Sequence, residues 1–576
     1  MFQTLSIQAH QPSRYTLAPS PGATDDIRTL IACLENRARV APNSPAFVCL
    51  EARDAALISN ADFQDASRTL AGRLAAAGIG RGDVVLLALE TSIDCVAAFF
   101  ACLHLSAVPC VVDTPASKAG IPTFLEKMTQ KARHVNARLI LARENHMEAL
   151  RSIRLPVSTL EELPEAASVA RLPDPEDAAF LQFTSGTTGR AKAILVSHRN
   201  LMTNVKALAS AGEWTGSDVM VSWLPLYHDM GLVASLLAGF VAGMPVVLMP
   251  SNMFTLNPAR WMWAIHTFSG TISFAPNFAY QFVATRVPAH RTEGLDLSSW
   301  RQAFNAAEFV HRVTVEAFVE RFKDHGFSRS AFVPAYGMAE CTVATAIRRP
   351  TDPLRFDTVS RQQLAKTGRA EPIAPGTWDS MTVACVGQAI DGHRIFIVDE
   401  NGDPVADRIQ GEVVIEGPSV LGGYYQETAA NRAFRNNRLY TGDLGYKDGN
   451  YLFITGRIKD LIIRAGANLS PYDIERVAAQ VDGVRAGATA AVGVRDEAQG
   501  TELLVVFFET TLEDPAPVAQ AIKQTLVQTL GIMPDHVLPL PPHSVEKTTS
   551  GKIRRPELAQ KAYEYLAPSE QVARAA

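Results

Sequence analysis

The stretch AAFLQFTSGTTGRAKAILVS, residues 178–197, decides how the chain is read. An apolar run at 178–183 reads as a buried strand. It is followed by Thr184, Ser185, Gly186, Thr187, Thr188 and Gly189, and a second strand is expected at 194–197, just beyond Arg190 and Lys192. Two glycines let backbone N–H groups turn toward one point, four hydroxyls add donors and two cations stand close by, so the loop suits phosphate. It is not a Walker loop, because no GxxxxGK[ST] occurs and the turn leads into a strand rather than a helix. Taken alone, a Ser/Thr/Gly-rich turn reads first as a plain surface hairpin, and the strand before it together with Lys192 puts the phosphate reading level with that one.

Outward from this loop, helical and strand patterns alternate as far as residue 250. Helices are expected at 25–40, 62–77 and 95–105, and strands at 84–89, 108–112 and 139–141. This alternation predicts parallel sheets covered by helices. The segment 350–380 is polar and rich in Pro, Arg and Gln, and reads as an insertion or long loop. From 383 to 415 short strands are separated by Asp391-Gly392 and Asn401-Gly402, the mark of a small β-rich subdomain. The last 115 or so residues carry strands at 488–494 and 502–508 and helices at 515–530 and 555–565.

The expected fold is therefore α/β: a large N-terminal domain of parallel and mixed sheets with a β-rich subdomain, plus a small mobile α+β C-terminal domain. In boundaries this gives a flexible N-terminus at 1–25, a main domain at 26–456 with the insertion at about 350–380, a hinge at 457–460 and a C-terminal domain at 461–576.

Composition limits the function. With 576 residues, a net charge of −5, 47% hydrophobic and 20% charged residues, the chain is long enough for several cores and is not disordered. No basic run interleaved with aromatics is present, so no nucleic-acid partner is expected. The seven cysteines form no CxxC pair and read as reduced core residues. Residues 1–22 do not resemble a secretory signal, and the cytoplasm is the expected location. The most apolar window, 96–112, contains His104 and Pro109 and reads as buried helix then strand, so no integral membrane span is expected.

Further motifs carry candidate chemistry. In the run 223–232, WLPLYHDMGL, His228 and Asp229 sit in apolar surroundings, as a core histidine or as a pocket wall facing a ligand. Asn305-Ala306-Ala307-Glu308 and Tyr336-Gly337-Met338-Ala339-Glu340 each close a strand-like run with small residues, where a flat ring can lie against the backbone. Glu340 is a candidate for Mg²⁺ beside a triphosphate, or else a solvated carboxylate at a helix start. Asp443, in the turn 440–445, is placed to accept bonds from vicinal sugar hydroxyls, with Arg457 as a second contact. Lys552, in a polar loop before the final helix, is a candidate to bridge a carboxylate and a phosphate. Neither a GxSxG elbow nor a defensible Cys/His pair suggests a covalent nucleophile.

The order TSGTTG (184–189), YHDMG (227–231), NAAE (305–308), YGMAE (336–340), YTGD (440–443), GRIKD (456–460) and TSGK (549–552) resembles the adenylate-forming superfamily of acyl-CoA synthetases, peptide-synthetase adenylation domains and luciferases. Within it, LPLYHDMGL (224–232), SFAPNFAYQF (273–282), EGLDLSSWRQAFNAAE (293–308) and FVPAYGMAE (332–340) look closer to the fatty acyl-AMP ligases, which also carry an insertion where 350–380 lies. The resemblance implies activation of a fatty acid with ATP and Mg²⁺ to an acyl-adenylate. The acyl group then passes to the phosphopantetheine thiol of an acyl carrier protein acting in trans.

By the same resemblance, Thr184 to Gly189 with Lys192 would hold phosphates, and Asn305, Ala306, Ala307, Tyr336, Gly337 and Met338 would flank the adenine. Glu340 would bind Mg²⁺, Asp443 and Arg457 would fix the ribose, and Lys552 would be the catalytic lysine. His228, with Met230 and Gly231, would stand by the carboxylate and the mouth of an acyl tunnel, and Lys459 or Asp460 would be the pivot. Residues 466–471 lean instead toward the Ser-Pro of CoA ligases. A fatty or aryl acyl-CoA ligase is therefore the alternative, and a catalytically dead adenylate-binding scaffold a more distant one.

Overall fold

The structure, a computed structural model, describes residues 3–6, 14–51, 54–115, 120–184, 192–377, 379–426, 433–464, 467–496, 501–547 and 552–566. Its largest sheet is built from short apolar runs. Pro45–Leu50, Val246–Leu248, Met220–Ser222, Ile272–Ala275, Gln302–Asn305 and Phe332–Tyr336 lie side by side in that order, all parallel. The first five are buried along their whole length, as parallel strands covered on both faces must be. Antiparallel strands extend both edges to ten in all.

A second sheet holds Val108–Val111, Val84–Ala88, Leu139–Ala142 and Val157–Ser158, again all parallel. Between the sheets run the helices Asn60–Ala76 and Ile93–His104, the latter buried at every residue but Asp94. The apolar window at 96–112 is thus helix then strand in a core, and no helix of the described residues is long and apolar enough to cross a membrane.

Several expectations needed correction. The first helix begins at Leu30, not 25, because the Thr29 hydroxyl accepts from the Ala32 N–H and caps it there. The strand Ala178–Thr184 belongs to no parallel sheet; it pairs antiparallel with Lys192–Ser197 as a separate hairpin. The segment expected as a loop at 350–380 is ordered into strand Phe356–Ser360 and helix Arg361–Thr367, and the strand pairs with Ser380–Ala384. Its apolar residues are few but converge, since Val359, Leu364 and Val383 bury against Tyr446 and Phe453 of the neighbouring sheet.

Within the stretch expected to be loose, residues 14–25 lie against the core. Ser20 receives hydrogen bonds from Arg37 Nη2 and Asn60 Nδ2, and its N–H donates to the Gly243 carbonyl. All seven cysteines are buried and free.

The β-rich part is a five-stranded sheet of Arg394–Val398, Gly411–Glu416, Arg438–Asp448, Phe434–Arg435 and Tyr451–Arg457. A 3₁₀ turn, Ile458–Asp460, then leads to the last part of the chain. There Thr489–Asp496, Thr501–Glu509 and His536–Leu540 form a three-stranded sheet with helices Pro471–Ala478, Ala516–Leu530 and Arg555–Leu566. The whole is a mixed α/β molecule with a large first domain and a smaller last one.

Candidate functional site

The site lies outside the carboxyl ends of the central parallel strands, where open α/β sheets leave a crevice. Asn305 and Tyr336 are the last residues of adjacent strands. Asn305 is fully buried; its Nδ2 donates to Asn277 Oδ1 at 3.2 Å, while its own Oδ1 is buried without a hydrogen-bond partner. Half-buried Ala306 follows, and then Ala307 at φ 69°, a left-handed conformation that costs an alanine about 1–2 kcal/mol. That turn carries the chain to Glu308, whose Oε1 accepts from the Phe278 N–H and which faces Lys547 and Lys552. Burial raises the Glu308 pKa above a carboxylate's ordinary value.

Tyr336 is joined to the β-rich sheet. Its hydroxyl donates to Asp443 Oδ2 at 2.6 Å, and Arg457 Nε donates to Asp443 Oδ1 at 2.5 Å. Asp443 and Arg457 face each other across a hairpin, which explains why residues fourteen apart in sequence form one pair. Burial and the Asp443 carboxylate push the Tyr336 phenol well above its ordinary pKa. Gly337 is required by space, since a Cβ there would lie 1.8 Å from the Val343 carbonyl oxygen. Met338 extends from it, half-buried, into the 3₁₀ turn Ala339–Cys341 that presents Glu340.

Glu340 Oε1 accepts from the Tyr424 hydroxyl at 2.7 Å, and Lys192 Nζ lies 4.0 Å from the centre of the Tyr424 ring. Tyr424 thus ties the metal candidate to the cation beyond the phosphate loop. Sequence reasoning did not single it out, and its aromatic ring after the pair Gly422-Gly423 is the one signal that could have found it. Thr184 ends the first hairpin strand, with its hydroxyl 3.4 Å from the Lys192 carbonyl. Ser185, Gly186, Thr187, Thr188 and Gly189 lie outside the described residues.

His228 Nδ1 lies 2.7 Å from Asp229 Oδ1, which also accepts the Met230 N–H at 2.7 Å. Burial pushes the Asp229 carboxyl up, but His228, the Met230 N–H and Lys552 outweigh it and hold its pKa below the ordinary value. A π-helical stretch, Met230–Leu237, precedes the short helix Ala238–Val241. Gly231 begins it packed against the Leu224–Pro225 backbone, where a Cβ would sit 2.2 Å from the Pro225 oxygen. Met230 and Gly231 are buried in this packing.

Lys552 enters from the last domain. Desolvation and Arg457 lower its pKa, while the carboxylates of Asp443, Asp229 and Glu340 act the other way. One lysine side chain is therefore within electrostatic reach of groups from four separate motifs. Lys547 faces Glu308 beside it.

The domain that delivers these lysines is held by contacts the sequence did not suggest. In the 3₁₀ turn, burial and Arg457 lower the Lys459 pKa, and Asp460 Oδ2 accepts from the Tyr472 hydroxyl at 2.5 Å and from Arg555 Nη1 at 3.3 Å. Arg555 Nη2 also reaches both oxygens of buried Glu475, at 2.9 and 2.7 Å, and its guanidinium lies over the Tyr472 ring. The Tyr472 ring packs on Phe309, 4.4 Å between centres, immediately after the NAAE motif.

Two adjacent strand ends closed by small residues, a paired Asp and Arg, a carboxylate held by a tyrosine and a lysine from the last domain make the layout of an adenylate-forming enzyme. The AMP-binding enzyme model matches residues 34–425. A putative acyl-CoA synthetase of Caulobacter vibrioides is 34% identical over 515 residues, covering 87% of this chain and 90% of that protein. A medium-chain-fatty-acid–[acyl-carrier-protein] ligase of Teredinibacter turnerae is 34% identical over 430 residues, 68% of this chain and 66% of that protein. Among solved structures, one from a study of fatty acyl-adenylate ligases of E. coli and L. pneumophila superimposes with a TM-score of 0.88 at 30% identity, covering 95% of this chain and all of the other. The chain belongs to the AMP-binding enzyme family, and it is an adenylate-forming, acyl-CoA synthetase-like ligase.

Proposed function

We propose that this enzyme activates a fatty acid with ATP and passes the acyl group to the phosphopantetheine thiol of an acyl carrier protein acting in trans, in the cytoplasm. The observation that carries the reading is Lys552, brought by the last domain among Asp229, Glu340, Asp443 and Arg457. In the first step a carboxylate oxygen attacks the α-phosphorus and pyrophosphate leaves, giving a mixed anhydride. In the second, the thiol sulfur attacks the acyl carbon and AMP departs with the bonding electrons. Negative charge gathers on phosphate oxygens in the first step, so a cation held in a water-poor crevice is worth most there. Lys552 meets that need, bridging the acid's carboxylate and the α-phosphate.

The other roles follow from chemistry and position. Asn305, Ala306 and Ala307 on one side and Tyr336, Gly337 and Met338 on the other leave a slot for adenine. Asp443, aligned by Arg457 and Tyr336, accepts from ribose hydroxyls. Thr184 to Gly189 with Lys192 take the outgoing phosphates. His228, oriented by Asp229, stands by the acid's carboxylate with Met230 and Gly231.

Among the described residues no cluster of three or more His, Cys, Asp or Glu is ready for a metal. Glu340, with Oε2 left beyond the oxygen bound by Tyr424, suits Mg²⁺, which takes one or two carboxylates and completes its shell with water and phosphate. That ion, when bound, supplies positive charge to the phosphate oxygens.

The relatives support a fatty acid as substrate. The Teredinibacter protein is named for carrier-protein transfer and the Caulobacter protein as a CoA synthetase, so the acceptor is the point to test. Saturated acids from hexanoic to stearic are assayed for acid-dependent pyrophosphate exchange with ATP and Mg²⁺, then for acyl transfer to free CoA or to a phosphopantetheinylated carrier. Adenylate formation with a loaded carrier and scarcely any acyl-CoA is the expected result. Brisk acyl-CoA formation would place the enzyme with the CoA ligases.

A further inference from the structure

A cleft of about 790 Å³ contains none of the groups around Lys552. It opens outside the carboxyl ends of Val84–Ala88 and Leu139–Ala142 in the second sheet and of Pro45–Leu50 and Val246–Leu248 in the first. In the second sheet this is a switch point, because Val84–Ala88 pairs with Val108–Val111 on one side and with Leu139–Ala142 on the other. Ligand crevices of α/β proteins form at such places. Leu50, Ile93, Pro250, Met253 and Leu256 form the apolar part of its lining, with Glu51, Glu90, Asp94, Arg143 and Arg260 among the rest, and Leu256 is 84% exposed.

One wall is the helix Ser251–Leu256, which presents two faces. Met253 and Leu256 line the cleft, whereas Phe254 is 2% exposed and stacks on Trp223, with ring centres 3.8 Å apart and planes 11° from parallel. Trp223 follows the strand Met220–Ser222 and precedes His228 by five residues. Its ring also meets Phe278 edge-on at 6.4 Å. Phe278 is 45% exposed, and its N–H donates to Glu308, which faces Lys552. Contacts thus run from Glu308, which faces Lys552, through the Phe278 N–H and ring to Trp223 and Phe254 and so to the helix that bounds the cleft. The Trp223 indole N–H is buried without a hydrogen-bond partner.

We infer that the Trp223–Phe254 stack is the stopper that sets the length of acyl chain the enzyme accepts, and that the cleft behind the helix Ser251–Leu256 is the space a longer chain enters once the stopper is removed. The inference rests on the fatty-acid reading of the site. Phe254→Ala deletes one ring of the stack, and Phe254→Leu shortens it while keeping an apolar side chain in the core.

Acid-dependent pyrophosphate exchange of the full-length wild type, Phe254→Ala and Phe254→Leu is measured with octanoic and palmitic acids. The ratio of kcat/KM for palmitic over octanoic acid is expected to rise by about tenfold or more in Phe254→Ala, the scale set by even one or two methylenes in an apolar pocket, and by less in Phe254→Leu, with the KM for ATP unchanged in both. Adding Leu256→Glu, at an exposed position, sets a carboxylate across the cleft and is expected to cancel the gain for palmitic acid.

An unchanged ratio in a Phe254 variant that retains octanoate activity would overturn the stopper. A gain that survives Leu256→Glu would overturn the cleft as its destination. A wild type inactive with every fatty acid would instead sink the fatty-acid reading, and this inference with it.

Discussion

Lys552 shows what one residue is asked to do. The residue is exposed, desolvation and Arg457 depress its pKa, and the carboxylates of Asp443, Asp229 and Glu340 act the other way, so removing it takes a compensating charge from all three and strips the developing phosphate charge of a partner. Lys552→Ala is expected to lower adenylate formation by about a hundredfold or more, the scale seen when one transition-state donor is removed. Thiol transfer from a preformed acyl-adenylate should be nearly unaffected. Single-turnover assays of the two half-reactions decide it, and equal loss of both would refute the role. Residues of this kind were legible because motifs place them in order. The Asp443–Arg457 pair was legible from its two motifs, but the turn expected at 440–445 is part of the strand Arg438–Asp448, and pairing with the strand Tyr451–Arg457 is what brings the two residues together. Tyr424 and Arg555 were not, since each acts only across a long loop or a domain boundary that no local pattern reveals.

At the scale of the element, the helix Pro471–Ala478 depends on a partner from the far end of the chain. Glu475 is buried on it, and burial raises its pKa even though Arg555 opposes the shift. The guanidinium that holds Glu475 also reaches Asp460 in the 3₁₀ turn, so one cation joins the turn, this helix and the start of helix Arg555–Leu566. Arg555→Leu leaves a buried carboxylate unpaired and is expected to destabilise the last domain by about 3–5 kcal/mol, with Arg555→Lys recovering only part. Limited proteolysis is the measurement, and cleavage within 461–566 at the wild-type rate would count against the arrangement. Element types were readable wherever the apolar period was long, as in Asn60–Ala76 and Ala516–Leu530. They were missed in Phe356–Ser360 and Arg361–Thr367, where only a few buried positions mark strand and helix among polar neighbours.

For the molecule as a whole, acid acts through its core as well as its site. Burial holds His104 and His198 neutral, lowering each from 6.5 to about 4. Between those values the unfolded chain binds protons that the folded one does not, so their contribution is present above pH 6.5 and is lost as pH falls toward 4. By pH 4.5 the loss is about 2–3 kcal/mol for each. All six tryptophans precede residue 379, so their fluorescence in urea follows the large domain. His198→Asn, which keeps an acceptor near the Leu30 N–H, should lose correspondingly less stability between pH 7.5 and 4.5. Identical losses would show that His198 does not couple to the fold in this way.

The proposed two-step reaction also calls for motion, because Lys552, in the role proposed for it, would stand in the crevice that the acceptor thiol has to reach. The chain between the domains narrows to Ile458–Asp460, whose carboxylate is held by Tyr472 and Arg555 in the present arrangement. A proline at 459 fixes φ near −65°, within the range of a 3₁₀ turn, so it is compatible with the conformation seen here and resists rotation away from it. Lys459→Pro is therefore expected to keep adenylate formation within several-fold of wild type while slowing acyl transfer by about tenfold or more, a barrier rise of about 1.4 kcal/mol. Lys459→Ala removes the same side chain without restraining the backbone and should leave transfer much faster than the proline variant does. If Lys459→Pro performs both half-reactions at the wild-type rate, the domain does not turn at this residue, and the pivot must be sought at Asp460 or beyond.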